Sequence, residues 1–151
     1  MEVAVITDTH WGARGDSREF LNHMIQFYRK VFFPELQARG IRTIIHLGDI
    51  MEHRKFVNYV TLKALREEFI ERADQLGIGI HILVGNHDIP FRNTNEVNAM
   101  REVFGKHKHI KLYSEPKTIE IESARILIMT WINSTNAARC FEAMKTSTAE
   151  C

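Results

Sequence analysis

The chain has 151 residues, 44% hydrophobic and 26% charged, with a formal net charge of +1. That length supports one domain burying about two-thirds of the surface its unfolded chain exposes, and the composition is that of a soluble globular protein. It excludes a globally basic nucleic-acid-binding field, although a local basic face fits within a neutral total; it also excludes a disulfide scaffold, with only Cys140 and Cys151, and a spanning helix, for want of an apolar run of about 20 residues.

Residues 2–7 are apolar and rich in β-branched types, which predicts a buried strand. With a strand at the very start there is no room for a signal peptide, and a reducing, cytoplasmic setting is expected. Asp8 to Asp16 reads as a loop punctuated by Gly12 and Gly15. Asp16 and Glu19 have the spacing of a helix N-cap and its capping partner. Phe20, Met24, Phe27, Tyr28, Val31 and Phe32 recur at helical spacing. Pro34 is expected to kink or restart that helix, and Gly40 to end it. Residues 42–47 form a second strand, followed by a charged loop to Asn58. Leu62, Leu65, Phe69, Ala73 and Leu76 mark a second helix, closed by Gly77.

Residues 79–84 form a third strand, and Gly85 to Asn93 a loop. Thr94 or Asn95 can cap a short helix carrying Val97, Met100, Val103 and Phe104. Three strand–helix units of roughly 40 residues imply an α/β fold with a parallel sheet and right-handed crossovers. After Gly105 the pattern changes to short strands over 110–113, 117–121 and 125–130 and a helix over 136–145. With no repeat or linker, residues 1–151 read as a single domain.

Each of the three α/β strands stops in a polar turn: Asp8-Thr9-His10, Gly48-Asp49, and Gly85-Asn86-His87-Asp88. In an open α/β sheet, ligands bind outside the carboxyl ends of the strands. The fold therefore gathers Asp8, His10, Asp49, Asn86 and His87 on one edge. Carboxylate, imidazole and amide oxygen together suit manganese, iron or zinc better than a calcium cage or a thiolate site. Gly48 and Gly85 let the backbone turn tightly before each ligand. Arg14, Arg18, Arg54, Lys55 and Arg92 fall in or beside these loops, where cations offset phosphate charge. Arg14, Arg54 and Arg92 are the candidate nucleic-acid contacts. His46 and His81, inside strands, read as hydrogen-bonded structural histidines. Trp11 reads as loop packing, and Lys106-His107-Lys108-His109 as a solvated basic face.

These turns resemble those of the calcineurin-like metallophosphoesterases. Thr7-Asp8-Thr9-His10-Trp11-Gly12, Ile45-His46-Leu47-Gly48-Asp49-Ile50 and Asn93-Thr94-Asn95-Glu96-Val97-Asn98 are similar to the SbcD-type recombination nucleases, including those of T-even-like phages. The resemblance implies a four-layered α/β/β/α sandwich, of which this chain would be the N-terminal portion. It implies metal-dependent hydrolysis of DNA phosphodiesters with two divalent cations, manganese first and iron, zinc or magnesium as alternatives. Asp8 and His10 would bind the first cation, Asp49 would bridge, and Asn86 would bind the second. His87 would face the scissile phosphate as the catalytic acid or charge stabiliser, with Asp88 holding its ring. The implied partners are DNA, an SbcC-type SMC-like ATPase and a second copy of the chain, with no membrane. A phosphatase acting on nucleotides or phosphoproteins would share all three turns, and a non-catalytic fragment that binds the partner ATPase is the remaining alternative.

Two departures from the family pattern stand out. After Gly48-Asp49 the family usually has an aromatic residue, an aspartate and an arginine, whereas this chain runs Ile50-Met51-Glu52-His53-Arg54-Lys55. Glu52 keeps the negative charge on a longer arm, and His53 reads as an exposed loop residue. The family also completes its metal site with later Gly-His and Gly-His-X-His motifs, and no histidine follows His109 here. A truncated site with weak metal binding and little phosphoesterase activity is therefore expected of these residues alone.

Overall fold

The computed structural model describes residues 2–89, 101, 104, 107–121 and 123–150. Arg92, Cys151 and most of the helix expected after Thr94 or Asn95, including Val97, Met100 and Val103, lie outside them; Phe104 is described and fully buried.

The β-branched runs form strands β1 (Ala4–Ile6), β2 (Thr43–His46) and β3 (Gly79–Leu83). With β4 (Ile110–Tyr113) they make a four-stranded parallel sheet in the order β1-β2-β3-β4. Ala4 pairs with Ile44, and Ile80 with both Ile44 and Ile110. β5 (Lys117–Ile121) and β6 (Ala124–Ile128) form a separate antiparallel hairpin. The expected α/β class and parallel sheet are both present.

Side chains alternate across the sheet, as a pleated strand requires. Ile44, Ile80 and Ile82 join a core with the helices, while Ile45, Leu83 and Tyr113 pack with Ile119, Ile121 and Ile128 of the hairpin. Strands covered on both faces are the usual state of a parallel sheet.

The first helix runs through α1 (Arg18–Phe27), a π-helical turn (Tyr28–Phe32) and α2 (Phe33–Ala38). Its N-cap is Ser17, whose hydroxyl accepts the Phe20 N–H at 3.4 Å. Asp16 does not take that place. It sits in the left-handed region, and its carboxylate accepts the Thr61 hydroxyl at 2.7 Å and lies 3.2 Å from His53 Nε2. Partners from the second loop and helix draw Asp16 away from its local cap. Pro34 does not break the helix. The Phe33 N–H reaches back to the Tyr28 carbonyl, and the wider π turn makes room at a residue with no N–H to give.

The second helix repeats the plan in α3 (Tyr59–Leu65), a π turn (Arg66–Ile70) and α4 (Glu71–Gln75). Asn58 caps it by accepting the Val60 N–H at 2.9 Å, and Gly77 closes it at φ 64°. The two π turns face each other. Arg29 grips the carboxylate of the nearly buried Glu68 through both Nε and Nη2, and Tyr28 lies 5.3 Å from the Phe69 ring. The last helix, α5 (Ala137–Thr146), buries Cys140. Among the described residues no helix is long and apolar enough to cross a membrane.

His81 bonds the Tyr113 hydroxyl at 2.8 Å inside the hairpin-side core, as a structural histidine should. His109 departs from the solvated reading. It lies 3.1 Å from both the Ile70 carbonyl and Asp74, tying β4 to the second helix.

Candidate metal centre

Parallel pairing places the carboxyl ends of β1, β2 and β3 on one edge, and the loops that leave them are bonded to each other. The Asp8 N–H donates to Gly48 O at 3.1 Å, the His10 N–H to Asp49 O at 3.1 Å, and the Trp11 N–H to Ile50 O at 2.7 Å. Trp11 is buried and stacks 5.4 Å from Tyr28, so it packs the loop. Asp8, His10 and Asp49 hold φ of 52°, 43° and 55°. Side-chain-bearing residues reach this left-handed region at a cost of about 1–3 kcal/mol each, and such strain gathers at functional sites.

The third loop meets the second at its glycines. A Cβ on Gly85 would lie 2.2 Å from Asp49 Oδ1 and 2.4 Å from Asp49 N, and one on Gly48 would lie 2.7 Å from Gly85 Cα. Only two glycines permit this approach, and it lets the His87 N–H donate to Asp49 Oδ1 at 2.8 Å. Gly85→Ala is expected to lower stability by about 1–3 kcal/mol, because the methyl meets backbone that cannot swing aside. Thermal unfolding beside wild type checks this; an unchanged midpoint would show that the loops part freely.

One donor atom each from Asp8, His10 and Asp49 lies within 4.8 Å of the other two, and a second such group joins His10, Glu52 and His87. His10 Nε2 is 3.6 Å from Asp8 Oδ1, while its Nδ1 is 2.8 Å from Glu52 Oε2. The rings of His10 and His87 meet edge-on at 4.9 Å. Asp49 Oδ2 faces the Asn86 amide. With the amide nitrogen towards Asp49 the contact is 2.9 Å, and the amide oxygen then accepts from Arg54 at 2.8 Å. Turned the other way, the same amide presents its oxygen to Asp49 Oδ2, an arrangement that a cation between them would favour.

The donor set therefore fits a divalent cation. It offers carboxylate, imidazole and amide groups at one place, with His10 Nε2 on the Asp8 side. A cleft of about 600 Å³ opens over it, lined by Asp8, Asp49, Asn86, Met129, Trp131 and Ile132. Trp131 was not singled out as a site residue from the sequence; its only signal was an aromatic just past a strand.

Asp88 does not hold the His87 ring. Its fully buried carboxylate accepts the backbone N–H groups of Asp49, Ile50, Met51 and Gly85 at 2.9, 3.0, 3.2 and 3.0 Å. The His87 ring is oriented by the Glu52 backbone, its Nδ1 donating to the carbonyl at 2.8 Å. His53 is likewise not a free loop residue, since it packs 4.2 Å from the Phe56 ring as well as meeting Asp16. Among the arginines, Arg54 lies at the site through Asn86. Arg14 instead sits 5.6 Å over the Phe20 ring, and Arg92 is outside the described residues. His46, beneath Asp8, takes the Gly48 N–H on Nδ1 at 3.2 Å and meets the Thr9 hydroxyl with Nε2 at 3.0 Å.

A family model described as calcineurin-like phosphoesterase matches residues 1–139. The chain is also 30% identical, over 149 residues, to "Exonuclease subunit 1" of Enterobacteria phage T4; the match covers 99% of this chain and 43% of that protein. The chain thus spans less than half the length of that relative.

Proposed function

The chain belongs to the calcineurin-like phosphoesterase family, and from that premise we propose that it hydrolyses DNA phosphodiester bonds as a metal-dependent nuclease of the SbcD type. The observation that carries this reading is the convergence of Asp8, His10 and Asp49 within 4.8 Å at neighbouring strand ends, with His87 against His10.

Asp8 and His10 would hold one divalent cation, Asn86 a second, and Asp49 both, with manganese the first choice. When bound, such a pair neutralises charge on the phosphoryl oxygens and acidifies a water for in-line attack. His87 gives its Nδ1–H to the Glu52 carbonyl, so Nε2 is the nitrogen turned to substrate; protonated, it donates to the leaving oxygen. Arg54, released from the Asn86 amide, adds positive charge beside the phosphate. The name of the phage relative, an exonuclease subunit, supports a nucleic-acid substrate and an assembly with other chains. An SbcC-type SMC-like ATPase and a second copy of this chain are the proposed partners.

With the protein in excess over labelled DNA and millimolar manganese, slow cleavage is expected, and Asp49→Asn should reduce it at least 100-fold. DNA should be cleaved in preference to para-nitrophenyl phosphate. The reverse preference would favour the phosphatase reading, and cleavage untouched by Asp49→Asn would overturn both.

A further inference from the structure

We propose that His10, Glu52 and His87 form a cation site of their own, distinct from the group around Asp49 and suited to zinc, iron(II) or cobalt(II). Two imidazoles and one carboxylate are a donor set that borderline transition-metal ions prefer and magnesium does not. One ligand atom of each residue lies within 4.8 Å of the other two.

Two further observations point to an ion in that place. His10 Nδ1 and Glu52 Oε2 are 2.8 Å apart, yet Nδ1 is buried and makes no hydrogen bond. Two ligands in cis positions at about 2.1 Å from one ion stand about 3 Å apart, so the spacing is that of a ligand pair. The second observation is the His87 tautomer. Its Nδ1–H is committed to the Glu52 carbonyl at 2.8 Å, which leaves the Nε2 lone pair bare. Histidine ligands are characteristically fixed in this way, by giving the other ring N–H to a carbonyl or carboxylate. Glu52 thus supplies both the orienting carbonyl and the third ligand.

The site has a consequence that rests on the proposed nuclease reading. An ion held by His87 Nε2 occupies the nitrogen assigned to the phosphate, and it takes the His10 lone pair on Nδ1, which leaves the ring proton on Nε2, facing Asp8. Occupancy is then inhibitory, with one His10 ring shared between two arrangements.

The test reads binding, so its failure is separable from failure of the nuclease reading. Zinc and cobalt(II) are titrated into the full chain, followed by calorimetry and by cobalt visible absorption. One tightly held ion is expected. Asp49→Asn should keep it, while Glu52→Gln and His87→Asn should each weaken it at least tenfold, with Glu52→Asp in between. Metal-free thermal unfolding verifies that each variant folds; should Glu52→Gln not fold, Glu52→Asp decides. The proposal is overturned if the Glu52 and His87 variants bind as wild type does. It is also overturned if Asp49→Asn alone abolishes binding, which assigns the ion to the other group, or if neither metal binds at millimolar concentration, which leaves only a proton between His10 and Glu52.

Discussion

Asp88→Ala is expected to lower the stability of the chain by about 3–5 kcal/mol, the largest effect of any single change at the site. The carboxylate is fully buried and takes four backbone N–H groups, from Gly85 on its own loop and from Asp49, Ile50 and Met51 on the neighbouring one. Removing it strands four donors at once, those of Ile50 and Met51 buried and those of Asp49 and Gly85 partly so; a buried donor costs about 1–3 kcal/mol in isolation, with the sum reduced by local relaxation. Burial pushes the Asp88 carboxyl above the ordinary carboxylate range, and the Gly85 and Met51 amides hold it down. A neutral acid would turn an O–H against one of four donors, so the anion is the form this pocket fits. Asp88→Asn should fall between wild type and alanine, because its amide nitrogen must face N–H groups. Urea unfolding of the three proteins measures this. If Asp88 served only to hold the His87 ring, alanine would leave the unfolding midpoint in place, and that result would restore the role expected from the sequence.

The adjacency Asn86-His87-Asp88 suggested a side-chain pairing because neighbours in sequence are the only neighbours a sequence displays. Three of the four partners of Asp88 are backbone groups 37 to 39 positions away, and backbone amides carry no residue-type signal. Asp16 was misread for the same reason, since Thr61 and His53 are 45 and 37 positions off. The convergence of Asp8, His10 and Asp49, by contrast, was legible, because it follows from parallel topology alone. Three apolar runs of similar length, each ending in a polar turn, can form a parallel sheet only with those turns on one edge. The π turns were not legible. Their periodicity is nearly helical, and what opens the extra residue at Tyr28–Phe32 and Arg66–Ile70 involves the two helices meeting through Arg29 and Glu68. Glu52 lay between these cases. Its charge was evident, but its reach to His10 depends on where the loop after Gly48 folds.

Acid is expected to loosen this edge through His46. Burial lowers its pKa to about 3; the charge of Asp8 raises it and that of His10 lowers it, but neither outweighs burial. The neutral ring is also the one the hydrogen bonds require, with Nδ1 accepting the Gly48 N–H and Nε2–H facing the Thr9 hydroxyl. In the unfolded chain the ring titrates near the ordinary histidine value of 6.5. Between that value and about 3 the unfolded state therefore binds the extra proton, and stability rises with pH across the window. The contribution is complete above the unfolded pKa and is lost as pH falls, at about 1.4 kcal/mol per unit once the unfolded ring is fully protonated. From pH 6.5 to 4.5 the expected loss is about 2–3 kcal/mol. His46→Asn keeps an acceptor near the place of Nδ1 and has no proton to take up. Its stability is expected to be lower than wild type at pH 7 but flatter towards acid, by close to one proton. Urea unfolding at several pH values in chelator-treated buffer, with no divalent ion present, supplies the two slopes. Parallel slopes would mean that another group governs acid loss. A flatter variant would place the first acid-sensitive event at the turn that carries Asp49, so that metal binding should weaken on acidification before the chain as a whole unfolds.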